Sequence, residues 1–142
     1  MTLVLLLVLI TTLVGCGNTV DKNNQFQMEF ERLYRNDKIK HKPEIIVLIA
    51  SVRDEARINE IFEEYKPNVV FHAAAHKHVP LMEENPYEAI KVNVFGTRIL
   101  ADLAIAHQVE KFIMISSDKA VNPTNVMGAT KRAAEIYISS LC

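Results

Sequence analysis

Net charge, cysteine, glycine and long apolar runs are all scarce in this sequence, and each shortage excludes something. Sixteen Lys and Arg stand against seventeen Asp and Glu over 142 residues, a net charge of −1. That balance excludes no specific contact, but it excludes binding to nucleic acid or anionic lipid by bulk electrostatics. The two cysteines, Cys16 and Cys142, sit near opposite ends without metal-ligand spacing, so no disulfide framework is expected. No apolar run reaches the roughly 20 residues that a membrane-spanning helix needs. There is no internal repeat, low-complexity tract or domain linker. With 49% hydrophobic and 23% charged residues, what remains has the composition of one ordinary domain with a modest core. It reads as cytoplasmic.

The N-terminus departs from this pattern, and residues 1–20 are set apart from a main domain over residues 21–142. Residues 2–14 are almost wholly apolar and lead into Leu13-Val14-Gly15-Cys16. Three readings stay open. One is an export or lipid-anchoring signal ending at Cys16, which would give membrane association through the N-terminus. The second is a buried parallel strand with its flank, and the third is non-native sequence from a misplaced start or a frameshift. The lack of positive charge ahead of the run weighs against export.

Further along, apolar residues alternate between two periods. Residues 21–36 place Phe26, Phe30, Leu33 and Tyr34 on one side, as an amphipathic helix would. Residues 44–50 form a short apolar run after Pro43 and predict a buried strand. Residues 54–65 carry Ile58, Ile61 and Phe62 at helical spacing, with Asp54 placed to cap the first turn. A second strand is expected over 68–72. Asn85-Pro86 then opens a long helix reaching about residue 107, with Asn as cap and Pro at the first helical position. A third strand over 111–116 and a helix over 125–141 complete the pattern. Strand and helix alternating through short connections give an α/β fold, a doubly wound parallel sheet covered on both faces.

In such sheets ligands bind beyond the carboxyl ends of the strands. That rule marks residues 51–54, 73–80 and 116–125 before any relative is considered. The last of these opens with Ser116-Ser117-Asp118-Lys119, which puts a hydroxyl, a carboxylate and an amine at one strand end. On the following helix Met127 and Lys131 stand four apart and so share a face. Three histidines, His72, His76 and His78, fall within seven residues, but no cysteine or carboxylate joins them at zinc-ligand spacing, so no metal is expected. The three alanines Ala73, Ala74 and Ala75 suit the close approach of something flat to the backbone.

The blocks His72-Ala73-Ala74-Ala75-His76-Lys77-His78-Val79-Pro80-Leu81-Met82-Glu83, Asn93-Val94-Phe95-Gly96-Thr97 and Ser117-Asp118-Lys119-Ala120-Val121-Asn122-Pro123-Thr124-Asn125-Val126-Met127-Gly128-Ala129-Thr130-Lys131-Arg132 together resemble one family. It is the polysaccharide-biosynthesis branch of the extended short-chain dehydrogenase/reductases, whose best-known members are UDP-N-acetylglucosamine 4,6-dehydratases. The resemblance covers roughly residues 21–142 and implies a partial Rossmann-type domain that uses NAD or NADP. It implies a UDP-N-acetylhexosamine substrate and, in the complete family, a homo-oligomer.

The roles implied by the resemblance are specific. Lys119 would be the base at sugar C5, Asp118 the acid for the departing C6 hydroxyl, and Ser117 the partner of the C4 oxygen. Such work calls for a lysine pKa displaced downward and an aspartate pKa displaced upward. Met127 and Lys131 match the family's Tyr-x-x-x-Lys, and methionine is the normal first residue in the membrane-associated members of this branch. Lys131 would hold the nicotinamide ribose. Cofactor contacts are implied for Ser51, Val52, Ala73, Ala74, Ala75, Lys77, Asn93 and Lys131. One departure stands out. The family's Gly-x-x-Gly-x-x-Gly turn is missing, and Gly15-Cys16-Gly17 does not replace it. The sugar-nucleotide-binding part is expected beyond residue 142, so the chain reads as a piece of a dehydratase. The alternatives are a nucleotide-sugar 4-epimerase of the same superfamily, a non-catalytic remnant, or an exported lipoprotein.

Overall fold

A computed structural model of the chain describes residues 5–6, 46 and 48–141. The chain divides into two compact units, residues 1–11 with 47–142 and residues 12–46, and every described element belongs to the first. The helix expected over 21–36 lies outside the described residues.

Three parallel strands lie side by side in chain order. Strand β1 (Leu5–Leu6) pairs with β2 (Val69–His72), Leu5 opposite Val69 and Leu6 opposite Val70. Of the three readings left open for the apolar N-terminal run, the parallel strand agrees with the pairing at Leu5 and Leu6. On its other side β2 pairs with β3 (Lys111–Met114), from Val69 opposite Lys111 to His72 opposite Met114.

Helix α1 (Glu55–Tyr65) precedes β2 and forms as its sequence predicts: Asp54 caps it by accepting from the Arg57 amide at 3.1 Å, and Ile58, Ile61 and Phe62 are its buried positions. It stops where Lys66 takes a left-handed φ of 43°. After β2 come a short α2 (Val79–Glu84), which the sequence reading did not anticipate, and α3 (Pro86–Ala89). Asn85 does start a long helical stretch with Pro86 in its first turn. Its side chain caps nothing there, because Nδ2 donates back to the Leu81 carbonyl at 3.0 Å and closes α2. The stretch is not one uniform helix: α3 passes into a π-helical segment (Ile90–Gly96) and then α4 (Thr97–Ala106). A π turn widens the helix, and such turns are frequent at functional sites. A 3-10 turn (Asp118–Ala120) follows β3, and α5 (Val126–Ser140) ends the described chain, capped by Asn125, whose Oδ1 accepts from the Gly128 amide at 2.8 Å.

One expectation fails where the residues are described. The strand over 44–50 is not formed at its described positions, 46 and 48–50. Leu48 and Ala50 pack on the core instead, and Ile49 is 83% exposed. Along β3 the side chains alternate between half-buried and exposed, with Ile113 38% exposed.

The main core gathers Ile58, Ile61 and Phe62 from α1, Val70 from β2, Val92 from the π segment and Leu100 and Ala104 from α4, around a fully buried Val52. Gly96 is glycine for want of space: a Cβ there would lie 2.6 Å from Val52 Cγ2 and 3.0 Å from Val52 Cβ. Gly96→Ala should therefore cost about 1–3 kcal/mol in urea unfolding, the usual range for overpacking a filled core. Val52→Ala in the same chain should recover part of that loss. Strictly additive losses would show that the two side chains do not compete for one space.

Candidate functional site

The strand ends converge where the parallel topology predicts. At the end of β2, His72 is buried and its Nε2 lies 2.7 Å from Thr97 Oγ1. The Thr97 hydroxyl hydrogen is already donated to the Asn93 carbonyl at 2.7 Å, so its oxygen accepts and His72 Nε2 carries the proton. Burial, and then the charge of Lys131, lower the His72 pKa from 6.5 to about 4, so the ring is neutral.

The loop that leaves β2 is held by Asn93. Its Oδ1 accepts from the His76 amide at 2.7 Å, and its Nδ2 donates to the His76 carbonyl and to Thr130 Oγ1, both at 3.0 Å. Thr130 donates in turn to the Met127 carbonyl at 2.9 Å. One fully buried carboxamide thus joins the loop after β2 to the helix that carries Met127 and Lys131. The expected cofactor contact at Asn93 has no spare donor behind it, since both amide hydrogens are already engaged. Within the loop Ala73 is exposed, Ala75 half-buried and Ala74 buried, and Lys77 reaches solvent. The backbone is therefore covered by little more than methyl groups.

Val52, expected beside a cofactor, has its side chain wholly in the core against Gly96; only its backbone is available for contact. Ser51 is half-buried, and its Oγ accepts from the Arg53 amide at 3.3 Å. As for the three histidines, His72 bonds Thr97 and His78 Nδ1 caps α2 by accepting from Leu81 at 3.4 Å. Among the described residues no group of three or more His, Cys, Asp or Glu could hold a metal ion.

At the end of β3, the Ser117 hydroxyl accepts from the Lys119 amide at 3.3 Å and donates to Asp118 Oδ1 at 3.0 Å; Lys119 Nζ reaches the same oxygen at 3.4 Å. The Ser117 hydrogen bond, then Lys119, hold the Asp118 carboxyl below its ordinary pKa. This corrects the expectation of a raised aspartate. A side chain 85% exposed feels almost no desolvation to oppose those bonds.

Lys131 is the opposite case. Only 5% exposed, it donates from Nζ to the Ile115 carbonyl at 2.9 Å, so its amine does point back to the strand end. Burial lowers its pKa, partly offset by Glu135. Met127 is buried one turn earlier, in a small cluster with Met82 and Ala89. What lets α5 come so near is Gly128. A Cβ on it would sit 2.3 Å from the Lys119 carbonyl oxygen, a backbone atom that cannot swing away. The sequence reading passed over Gly128, Thr97 and Thr130. A glycine in the first turn of a helix, three residues before a lysine, was the signal available for the first.

The sequence profile of the polysaccharide biosynthesis protein family matches residues 15–141. The chain belongs to that family. It is 59% identical over 98 residues to the capsular polysaccharide biosynthesis protein CapD of Staphylococcus aureus, covering 69% of this chain and 16% of CapD. It is 38% identical over 111 residues to the inverting UDP-N-acetylglucosamine 4,6-dehydratase of Campylobacter jejuni, covering 72% of this chain and 33% of the relative. Among solved structures, the UDP-glucose 4-epimerase of Brucella ovis in complex with NAD superposes with a TM-score of 0.63 at 29% identity, over 66% of this chain and 33% of that one. The family's fold is the Rossmann-type sheet of the extended short-chain dehydrogenase/reductases, and the α/β expectation holds. The chain spans between a sixth and a third of the length of these curated relatives. No helix among the described residues is long and apolar enough to cross a membrane.

The neutral His72 gives this family member a pH signature. Its folded-state pKa, about 4, lies below the 6.5 of the exposed side chain, so between these values the unfolded chain binds more protons. Stability should be level above pH 6.5 and fall as pH drops from 6.5 toward 4, by about 3 kcal/mol in all if this group acts alone. Urea midpoints of wild type and His72→Asn across that window measure it: the difference between the two chains should shrink as pH falls. A constant difference would remove His72 as the source.

Proposed function

We propose that the chain is part of an NAD(P)-dependent nucleotide-sugar 4,6-dehydratase of polysaccharide biosynthesis, acting on a UDP-N-acetylhexosamine. The observation that carries the reading is the grouping at the end of β3: Ser117, Asp118 and Lys119 share one hydrogen-bonded turn, against which Gly128 seats the helix bearing Met127 and Lys131. The relatedness to CapD and to the Campylobacter dehydratase supports the same reading.

The residues present suit a dinucleotide in part. The thinly covered backbone at residues 73–75 and the buried amine of Lys131 would face its nicotinamide half, and Ser51 with the Val52 backbone its adenine half. No glycine follows β1 in the sequence before Gly15, so the phosphate cradle usual to such folds has no counterpart there. When bound, the oxidised nicotinamide would accept hydride from sugar C4 and return it at C6.

The chain's own residues would do the proton work. Ser117 would hold the C4 oxygen, and Lys131 would favour through its charge the loss of the C4 hydroxyl proton, which would pass to solvent. Once C4 is a ketone, the C5 proton is acidic enough for the Lys119 amine to take. Asp118 would deliver a proton to the C6 hydroxyl, which leaves as water, and once hydride has returned to C6 the Lys119 ammonium would give its proton back to C5. Because Asp118 starts exposed and below its ordinary pKa, it can serve as the acid only once bound substrate has buried it.

An epimerase would need no base at C5, and this separates the two sugar-nucleotide reactions. Calorimetric titration with NAD, followed by UDP-N-acetylglucosamine and an assay for the 4-keto product, tests the proposal. Lys119→Ala should retain cofactor binding and lower product formation about a hundredfold or more, the usual yield of a positioned base. Full product formation by Lys119→Ala would remove Lys119 as the base. Cofactor binding without any product in the wild-type chain would favour a non-catalytic remnant.

A further inference from the structure

One contact lies outside the machinery described so far. The Glu83 carboxylate, at the exposed end of α2, accepts from the Val126 amide at 2.7 Å across 43 residues of sequence. Val126 is the first residue of α5, and its amide is one of the orphan donors that every helix N-terminus leaves. Asn125 already caps this end by accepting from Gly128, so Glu83 satisfies a second donor from a different element. A negative charge also suits that end of the helix dipole.

The two segments so joined matter to the proposed site. Helix α2 is continuous with the loop at residues 73–78, and it packs Met82 and Val79 against Met127 and Val126. The helix it grips places Met127 one residue after the bonded amide and Lys131 one turn later. Asn93 bridges the same loop and helix from the buried side through His76 and Thr130. Glu83 supplies the second bridge, on the exposed side.

We infer that Glu83 is a positioning residue that couples the order of the loop after β2 to the placement of Met127 and Lys131. The inference rests on the proposed cofactor site, and its test has one arm that does not.

The bond can be cut from either end. Glu83→Ala removes the acceptor, whereas Glu83→Gln keeps an oxygen acceptor in place. Val126→Pro removes the donor while leaving the helix intact, since proline is welcome at the first helical position. Asn125 before it is already extended, with φ −146° and ψ 161°, as a residue preceding proline must be. Val126→Ala controls for lost packing by the valine side chain.

The first arm is amide hydrogen exchange on the free chain. Glu83→Ala and Val126→Pro should each speed exchange in residues 73–78 about fivefold, the scale of losing one helix cap, whereas Glu83→Gln and Val126→Ala should match wild type. The double variant should be no faster than either single one. The second arm is NAD titration, in which the two disruptive variants should raise the dissociation constant by a similar factor and Glu83→Gln should restore it. Unchanged exchange in residues 73–78, or a Glu83→Gln chain that behaves like Glu83→Ala, overturns the coupling whether or not NAD binds. A wild-type chain that binds no NAD counts against the proposed function, and the exchange arm still decides the role of Glu83.

Discussion

Asn93 sits in a π-helical segment with its carboxamide out of water, and every polar atom of that group is engaged. One side clasps both the amide and the carbonyl of His76, and the other reaches Thr130 on α5. An amide buried without partners would cost several kcal/mol, so this geometry is strongly preferred once the core closes over it. The loop after β2 and the helix carrying Lys131 therefore cannot move independently without breaking a buried bond. The Asn93 carbonyl accepts from the Thr97 hydroxyl, whose oxygen in turn orients the His72 ring at the end of β2. The strand end, the loop and the helix form one hydrogen-bonded block.

Against that rigid block the turn at Ser117, Asp118 and Lys119 is open. Its bonds are local, and Asp118 is mostly in solvent. Lys131, buried and tied to the Ile115 carbonyl, lies in the block; Asp118 and Lys119 lie at its edge. That division fits a site in which the cofactor side is preorganised and the substrate side is completed on binding. It also accounts for the one chemical expectation that failed. A carboxyl becomes a better acid when it is taken out of water, and here nothing described takes Asp118 out of water.

Elements whose reasons are local were legible in the sequence. Asp54 ahead of a periodic run pointed to α1 and its cap, Asn125 to the start of α5, and the runs at 68–72 and 111–116 to the two paired strands, seen over Val69–His72 and Lys111–Met114. The run at 44–50 looks equally apolar and yet forms no strand at its described positions: Leu48 and Ala50 turn to the core while Ile49 stands in solvent, which periodicity does not report. Asn85-Pro86 announced a helix, but nothing in the residues announced that it would widen over Ile90–Gly96. At the site, the residue types and their strand-end positions were legible; which of them were already occupied was not.

By itself, then, the sequence determined the fold class, the strand ends where chemistry can gather, and the family, through several ordered blocks whose spacing chance does not supply. Only the tertiary structure decided that Asn93 holds a loop in place, that Val52 belongs to the core, and that Asp118 lies below its ordinary pKa while burial lowers that of Lys131. The bonds that lower Asp118 are local, to Ser117 and Lys119; for Asn93, Val52 and Lys131 the physical reason is a shared one. Burial and hydrogen-bond partners come from residues distant in sequence, such as His76 with Thr130 for Asn93 and Gly96 for Val52, and these set what a side chain has left to offer a ligand.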